Sequence, residues 1–157
     1  MITGRPKTEE EFKSIQADGK AIFHPTHHLG SPEVPNDSYP YWLNTGRLIW
    51  HWHTRTKTAR VPYLNEKASE AYVEVHEEDA SRLQVSNGDI VRVTSPRGRI
   101  EVPIRTGKEV NRGEVFVPFH FENLDSNEAV NALTMDVIDP LSHQPVLKQS
   151  ICQVEKV

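Results

Sequence analysis

The chain has 157 residues, enough for one domain around a single core and too few for several. A formal charge of −4 gives no basic excess for general nucleic-acid binding, and no apolar run of about 18 residues is present to insert in a membrane. Its 36% hydrophobic share and 11 prolines, with the apolar residues in short spaced runs, describe a modest core with long irregular segments. The one cysteine, Cys152, excludes an internal disulfide and a cysteine-rich metal site. It is compatible with a reduced cytoplasm, the expected compartment, and with a periplasmic protein exported after cofactor loading.

In chain order, residues 1–38 read as a polar, proline-rich arm or linker, with a short helix expected over 8–17. Pro25, Pro32, Pro35 and Pro40 forbid a long helix after it. The folded domain is expected over 39–157. Tyr41-Trp42-Leu43-Asn44 reads as a buried strand entering a turn at Thr45-Gly46-Arg47. Residues 71–75 read as a second strand, and 77–83 as a short helix whose acidic start (Glu77, Glu78, Asp79) suits the positive end of its dipole. After the Asn87-Gly88-Asp89 turn, residues 90–94 and 99–105 alternate apolar and polar side chains around Ser95-Pro96-Arg97-Gly98, a hairpin signal. Residues 114–121 form a third long β-run, and 129–137 are helical or irregular. A closing strand is expected over 151–157. Short strands with many turns indicate a mainly-β barrel.

Charge placement points to the binding chemistry. From Ser38 to Asn65 there is no Asp or Glu, whereas Arg47, Arg55, Lys57 and Arg60 all lie there. Thr45, Thr54, Thr56, Thr58, His51 and His53 are interleaved with them. Guanidinium groups, hydroxyls and loop amides together form a phosphate or pyrophosphate cradle, and Gly46 would let backbone amides approach a ligand. Trp42, Trp50 and Trp52 could support a planar ring system. A merely solvated basic face is the plainer reading, and the tryptophans tilt the balance toward a ligand. His51 and His53 would point the same way on a strand. His24, His27 and His28 are close in sequence, but no carboxylate or cysteine completes a metal set there. His120 and His143 read as ordinary polar or partly buried residues, and Cys152 as a small buried hydrophobe. No P-loop, Gly-x-Gly-x-x-Gly or Gly-x-Ser-x-Gly occurs, and no catalytic residue or metal ligand is expected in this chain.

Thr45-Gly46-Arg47-Leu48-Ile49-Trp50-His51-Trp52-His53-Thr54, with Thr56, Thr58 and Arg60, resembles the opening of the last domain of molybdenum oxidoreductases of the nitrate reductase and formate dehydrogenase type. The likeness continues through Glu77-Glu78-Asp79-Ala80, Gly88-Asp89, the hairpin at Ser95-Pro96-Arg97-Gly98, and Val115-Phe116-Val117-Pro118-Phe119. It then takes in Asn131-Ala132-Leu133-Thr134, Asp139-Pro140, Gln144-Pro145, Lys148 and Cys152. The resemblance implies a six-stranded double-psi β-barrel, aspartate-decarboxylase-like, with short helices, that closes over molybdopterin guanine dinucleotide carrying molybdenum or tungsten. The cofactor would be held jointly with other domains, any iron–sulfur cluster lying in that partner part. Residues 45–54 would line pterin and phosphate groups, with Arg47 as anion clamp, and Gly46, His51, Trp52, His53 and Thr54 beside it. Asn131 would bond a pterin or nucleotide edge and Lys148 would add a second cation. Phe121, or Phe119 in its place, would lie near the substrate funnel. Two features depart from the family pattern: His143 stands where relatives carry Lys or Arg, and residues 122–128 make a longer acidic connection. The implied partners are the catalytic domains or large subunit of the same oxidoreductase, nitrate reductase ahead of formate dehydrogenase. A non-enzymatic double-psi barrel used for protein interactions is the alternative from another class.

Overall fold

Six short strands close into a barrel because each of them buries apolar residues against the same interior. In the computed structural model these are β1 (Tyr41–Gly46), β2 (Val73–His76), β3 (Ile90–Thr94), β4 (Arg99–Gly107), β5 (Glu114–Pro118) and β6 (Ser150–Lys156). Two α-helices, α1 (Pro62–Lys67) and α2 (Glu77–Leu83), and 3-10 turns at Thr58–Arg60 and Val130–Leu133 lie between them. The structure describes residues 8–10, 13, 25, 27–121, 129–140 and 142–157. The chain divides into two compact units, Met1–Gly30 and Ser31–Val157. In the first, Glu9, Glu10 and Lys13 are helical, with Lys13 paired to Glu9 at 2.6 Å. The rest of the helix expected over 8–17 lies outside the described residues, as does the acidic connection 122–128.

Strands neighbour one another in the closed order β1-β5-β2-β4-β3-β6. Two of the pairings, β1 with β5 and β2 with β4, are parallel, and the other four are antiparallel. Exchanging β1, β2 and β3 with β4, β5 and β6 maps these pairings onto themselves, so two interlocked three-strand halves build one double-psi β-barrel. Inside it Leu43, Val73, Val75, Val91, Val93, Ile100, Val102, Ile104, Val115, Val117, Cys152 and Val154 are buried, mostly β-branched residues that fit a pleated, enclosed surface.

The hairpin forms as the alternation predicts: Val91 faces Val102 and Val93 faces Ile100. Gly98 allows the tip to close on the second 3-10 turn, since a Cβ there would stand 2.8 Å from the Ala132 carbonyl. Arg97 reinforces the contact by donating to Leu133 O at 3.0 and 3.2 Å while pairing with Glu33. Helix α2 spans the expected residues. His76 caps it by accepting from Glu78 N at 3.2 Å, and Gln84 ends it in the left-handed region at φ 56°. Asp79 does more than start this helix. It is buried and accepts from Gly113 N at 2.7 Å, which ties α2 to the turn before β5.

Several boundaries differ from expectation for local reasons. Thr45 and Gly46 belong to β1, paired with Val117 and Pro118, so the turn begins at Arg47. Strand β2 starts at Val73, not at residue 71, and runs to His76. The third β-run stops at Pro118, which has no N–H to extend the ladder. Helix α1 was not expected; Pro62 at its first turn is the signal that marks it. Among the described residues no helix is long and apolar enough to cross a membrane.

Cys152 lies in the barrel interior, fully buried, and burial pushes its thiol up to about 12. Thiolate is the reactive form, so native protein is expected to resist iodoacetamide at neutral pH and to label fully in guanidinium. Stoichiometric labelling of the folded chain would contradict this burial.

Candidate functional site: a basic cleft at one end of the barrel

The parallel pairing of β1 with β5 decides where the site lies. Gly46 is in register with Pro118, so the chains leaving both strands, 47–54 and 119–121, emerge side by side. Strand β6 runs antiparallel to β1, with Ser150 opposite Leu43, and the segment leading into it arrives at that same end. Thr45 Oγ1 fixes this segment by donating to Leu147 O at 2.7 Å. These three segments and the 3-10 turn surround an open cleft of about 660 Å³ lined by Gly46, Arg47, His53, Thr54, Phe119, Asn131, Leu147 and Lys148. The volume suits a small-molecule site. A second hollow of about 330 Å³, bounded by Trp42, Asn44, Glu114, Lys148 and Gln149, shares Lys148 with it.

Among the described residues, the lining of the larger cleft contains two cations and no carboxylate. Arg47 is exposed, and among the described residues it forms no ion pair. Its guanidinium lies 5.5 Å from the Trp52 ring centre and 5.9 Å from that of Phe119, within 3.4 Å of the His53 ring nitrogens. Aromatic faces thus hold the fork in place and leave its N–H groups available to an acceptor in the cleft. His53 and Arg55 adopt left-handed backbone, φ 45° and 63°, so the loop is bent against its own preference. Arg55 turns away from the cleft. It lies over Phe121 at 4.5 Å, donates to Asn65 Oδ1 and, among the described residues, leaves Nε buried without a partner.

Of the residues singled out from the sequence, the fold brings Gly46, Arg47, His53, Thr54, Asn131 and Lys148 to this cleft. Thr45 is buried beneath it. His51 does not share a face with His53, because the segment is a turn and not a strand. The His51 ring is 5% exposed; Nε2 donates to Ala68 O at 2.6 Å and Nδ1 accepts from Thr58 Oγ1 at 3.1 Å, a tautomer assigned from these partners. Trp52, 62% exposed, stands outside the lining. Thr56 is exposed and bonds Thr54 Oγ1 at 2.9 Å. Phe121 is buried against His51 and Arg55, and Phe119 is the aromatic that lines the cleft. At Gly46 a Cβ would stand 2.5 Å from the Phe116 ring, so any larger residue here would have to push that ring aside. His143 is exposed at φ 56°.

His120 is the residue that sequence reasoning undervalued. It is 2% exposed. Its Nε2 accepts from Leu48 N at 2.7 Å, and its Nδ1 donates to His53 O. One ring therefore spans both ends of the cleft loop. Position alone gave no signal for this, since His120 is 67 residues from His53. Among the described residues no three His, Cys, Asp or Glu side chains are grouped to hold a metal ion.

Residues 41–151 match the Molydopterin dinucleotide binding domain, a segment that contains β1 to β5 and the first two residues of β6. The chain belongs to that family. Among curated relatives of this molydopterin-binding chain, a nitrate reductase from Symbiobacterium thermophilum is 42% identical over 141 residues, 88% of the chain and 18% of the relative. An F420-dependent formate dehydrogenase subunit alpha from Methanocaldococcus jannaschii is 36% identical over 145 residues, 92% of the chain and 21% of the relative. The chain thus spans about a fifth of the length of these relatives. Acetylene hydratase from Pelobacter acetylenicus shares the fold at a TM-score of 0.65 and 16% identity, over 76% of the chain and 18% of that protein. The cleft fits the family's ligand class. Phosphate oxygens and pterin carbonyls accept hydrogen bonds, and Arg47, Lys148, Asn131 and Thr54 are all donors.

Proposed function

We propose that this chain is the cofactor-covering domain or subunit of a bis(molybdopterin guanine dinucleotide) oxidoreductase, with nitrate reductase favoured over formate dehydrogenase. A cleft whose described lining holds Arg47 and Lys148 and no carboxylate, with Arg47 in no ion pair among the described residues, carries this reading. Arg47 and Lys148 would take phosphate or pterin oxygens, Asn131 a pterin or nucleotide edge, and His53 and Thr54 the remaining acceptors. Phe119 would cover the apolar side of a flat ring. The bound cofactor supplies the redox chemistry through its molybdenum or tungsten; this chain binds and orients it and excludes water. Metal ligation and any iron–sulfur cluster would belong to the catalytic domains or large subunit that correspond to the other four-fifths of the relatives. An interaction module without a ligand would leave the basic wall unexplained.

Higher identity to the nitrate reductase than to the formate dehydrogenase, 42% against 36%, supports the order of substrates, together with Asp139-Pro140-Leu141-Ser142-His143-Gln144-Pro145. Turnover of nitrate with a reduced dye, and of formate with an oxidised one, by the enzyme containing this chain tests it. Nitrate reduction with pterin and metal bound is expected. Formate oxidation alone reverses the order, and an assembled complex lacking molybdopterin favours the interaction module.

A further inference from the structure

The loop that carries Arg47 and His53 is fixed through a group that titrates. We propose that His120 is a positioning residue acting as a proton-gated latch: its neutral ring holds the 47–54 loop against the cleft, and a protonated ring releases the Leu48 end. The latch is a property of the loop; its effect on a ligand rests on the binding function proposed above.

The geometry requires this dependence on charge state. Leu48 N donates to His120 Nε2 at 2.7 Å, so that nitrogen must offer a lone pair. Nδ1 carries the proton, which goes to the His53 carbonyl. A second proton would set an N–H against the Leu48 N–H, turning an attraction into a repulsion between donors. The groups around the ring oppose that second proton. His51 lies 5.8 Å away edge-on, Phe119 and Phe121 cover the ring at 4.8 and 6.2 Å, and Arg47 and Arg55 add positive potential. No carboxylate is among the described groups that act on it. Burial first, and these cations after it, hold the imidazole below its ordinary value of 6.5, against the pull of the His53 carbonyl.

The sign follows from the lowered value. Stabilisation by the neutral ring is complete above the ordinary histidine range and is lost as pH falls through the lowered folded value. The loop should therefore be firm at neutral pH and loosen only as pH falls below the ordinary histidine value of 6.5, through the lowered folded value.

Two substitutions separate a latch from a passive filler. In His120→Gln the Oε1 atom can accept from Leu48 N and does not titrate. In His120→Asn the side chain reaches the position of Nδ1, keeps a donor for His53 O and lacks the Leu48 acceptor, as the protonated ring does. Nitrogen-15 spectra of the 157-residue chain would follow the Leu48 amide and the His120 ring from about pH 8 to about pH 5, with GDP as the probe of the cleft. In wild type the Leu48 amide should shift in step with the ring, and GDP affinity should fall by about tenfold or more, the equivalent of one lost hydrogen bond. GDP itself takes up a proton in this range, so His120→Gln is the reference: its Leu48 amide should stay fixed and its affinity should fall less. His120→Asn should bind weakly at both ends. A Leu48 amide that ignores His120 titration overturns the latch, as does a parallel fall of affinity in wild type and His120→Gln. If His120→Asn does not fold, the other two proteins still decide. If the amide titrates but GDP binds nowhere, the latch stands and the cofactor-binding function fails.

Discussion

Arg47→Ala is expected to strip cofactor from the assembled enzyme without unfolding it. The Arg47 guanidinium rests between Trp52 and Phe119 at the cleft wall, and no ion pair to a described carboxylate gives it a competing structural task. A charge-assisted, bidentate contact to a phosphate or pterin oxygen is worth about 1.5–3 kcal/mol. Retention of pterin and metal should therefore fall by about one to two orders of magnitude, measured as cofactor content after gel filtration. Thermal stability should change little, because an exposed side chain away from special backbone usually contributes within about 0.5 kcal/mol. Arg47→Lys should restore only part of the retention, since an ammonium keeps the charge but lacks the planar fork and stacks less well on the two rings. Unchanged molybdenum and pterin content in folded Arg47→Ala would reject the clamp and turn attention to Lys148 and His53.

What could be read from the sequence was what depends on neighbours in the chain. Alternation gave the β3–β4 hairpin to the residue at the ends of the turn, and the acidic start gave α2, because period and capping are local properties. The acid-free stretch from 38 to 65 supplies Gly46, Arg47, His53 and Thr54 to the cleft. Arg55, however, packs on Phe121, Lys57 and Arg60 are not among the lining residues, and the second lining cation, Lys148, comes from far along the chain. Long-range pairing was not legible. Nothing near His120 in the sequence announces that its ring meets Leu48 and His53, and nothing near Thr45 announces Leu147, 102 residues away. Those contacts exist because β1 and β5 run parallel and β6 returns beside β1. The same gap explains the histidines of the loop. A strand pattern put His51 and His53 on one face, whereas His53 to Lys57 turn, with left-handed backbone at His53 and Arg55, so that His51 is buried while His53 lines the cleft. Phe119 and Phe121 differ in the same way: Pro118 ends the strand, and only the first of the two aromatics remains on the cleft.

The His51 and His53 pair gives the largest expected stability effect, and a clean division between framework and ligand contact. His51 is buried and joins three pieces of chain: its Nε2 donates to Ala68 O beyond α1, its Nδ1 accepts from Thr58, and its ring packs edge-on against Phe121. Thr58 Oγ1 in turn accepts from Trp52 N at 3.3 Å, so the loop and the first 3-10 turn share one network. His51→Ala removes the ring, opens a cavity and leaves the Ala68 carbonyl without its donor. Those losses together amount to about 2–4 kcal/mol, or a fall in Tm of roughly 5–15 °C for a chain of this size. His51→Gln should recover part of it by restoring a donor to Ala68 O. His53→Ala should behave oppositely, because its ring is exposed at the cleft beside Arg47 and only its backbone carbonyl, which the substitution keeps, is held by His120. Its Tm should move by no more than a degree or two, while retention of cofactor or GDP should weaken by a few-fold, in keeping with loss of one neutral hydrogen bond of about 0.5–1.5 kcal/mol. Calorimetry and cofactor content on the same two purified variants check both halves at once. A stable His51→Ala that loses ligand would place that ring in the cleft and not beneath it, and would overturn the division between the two histidines.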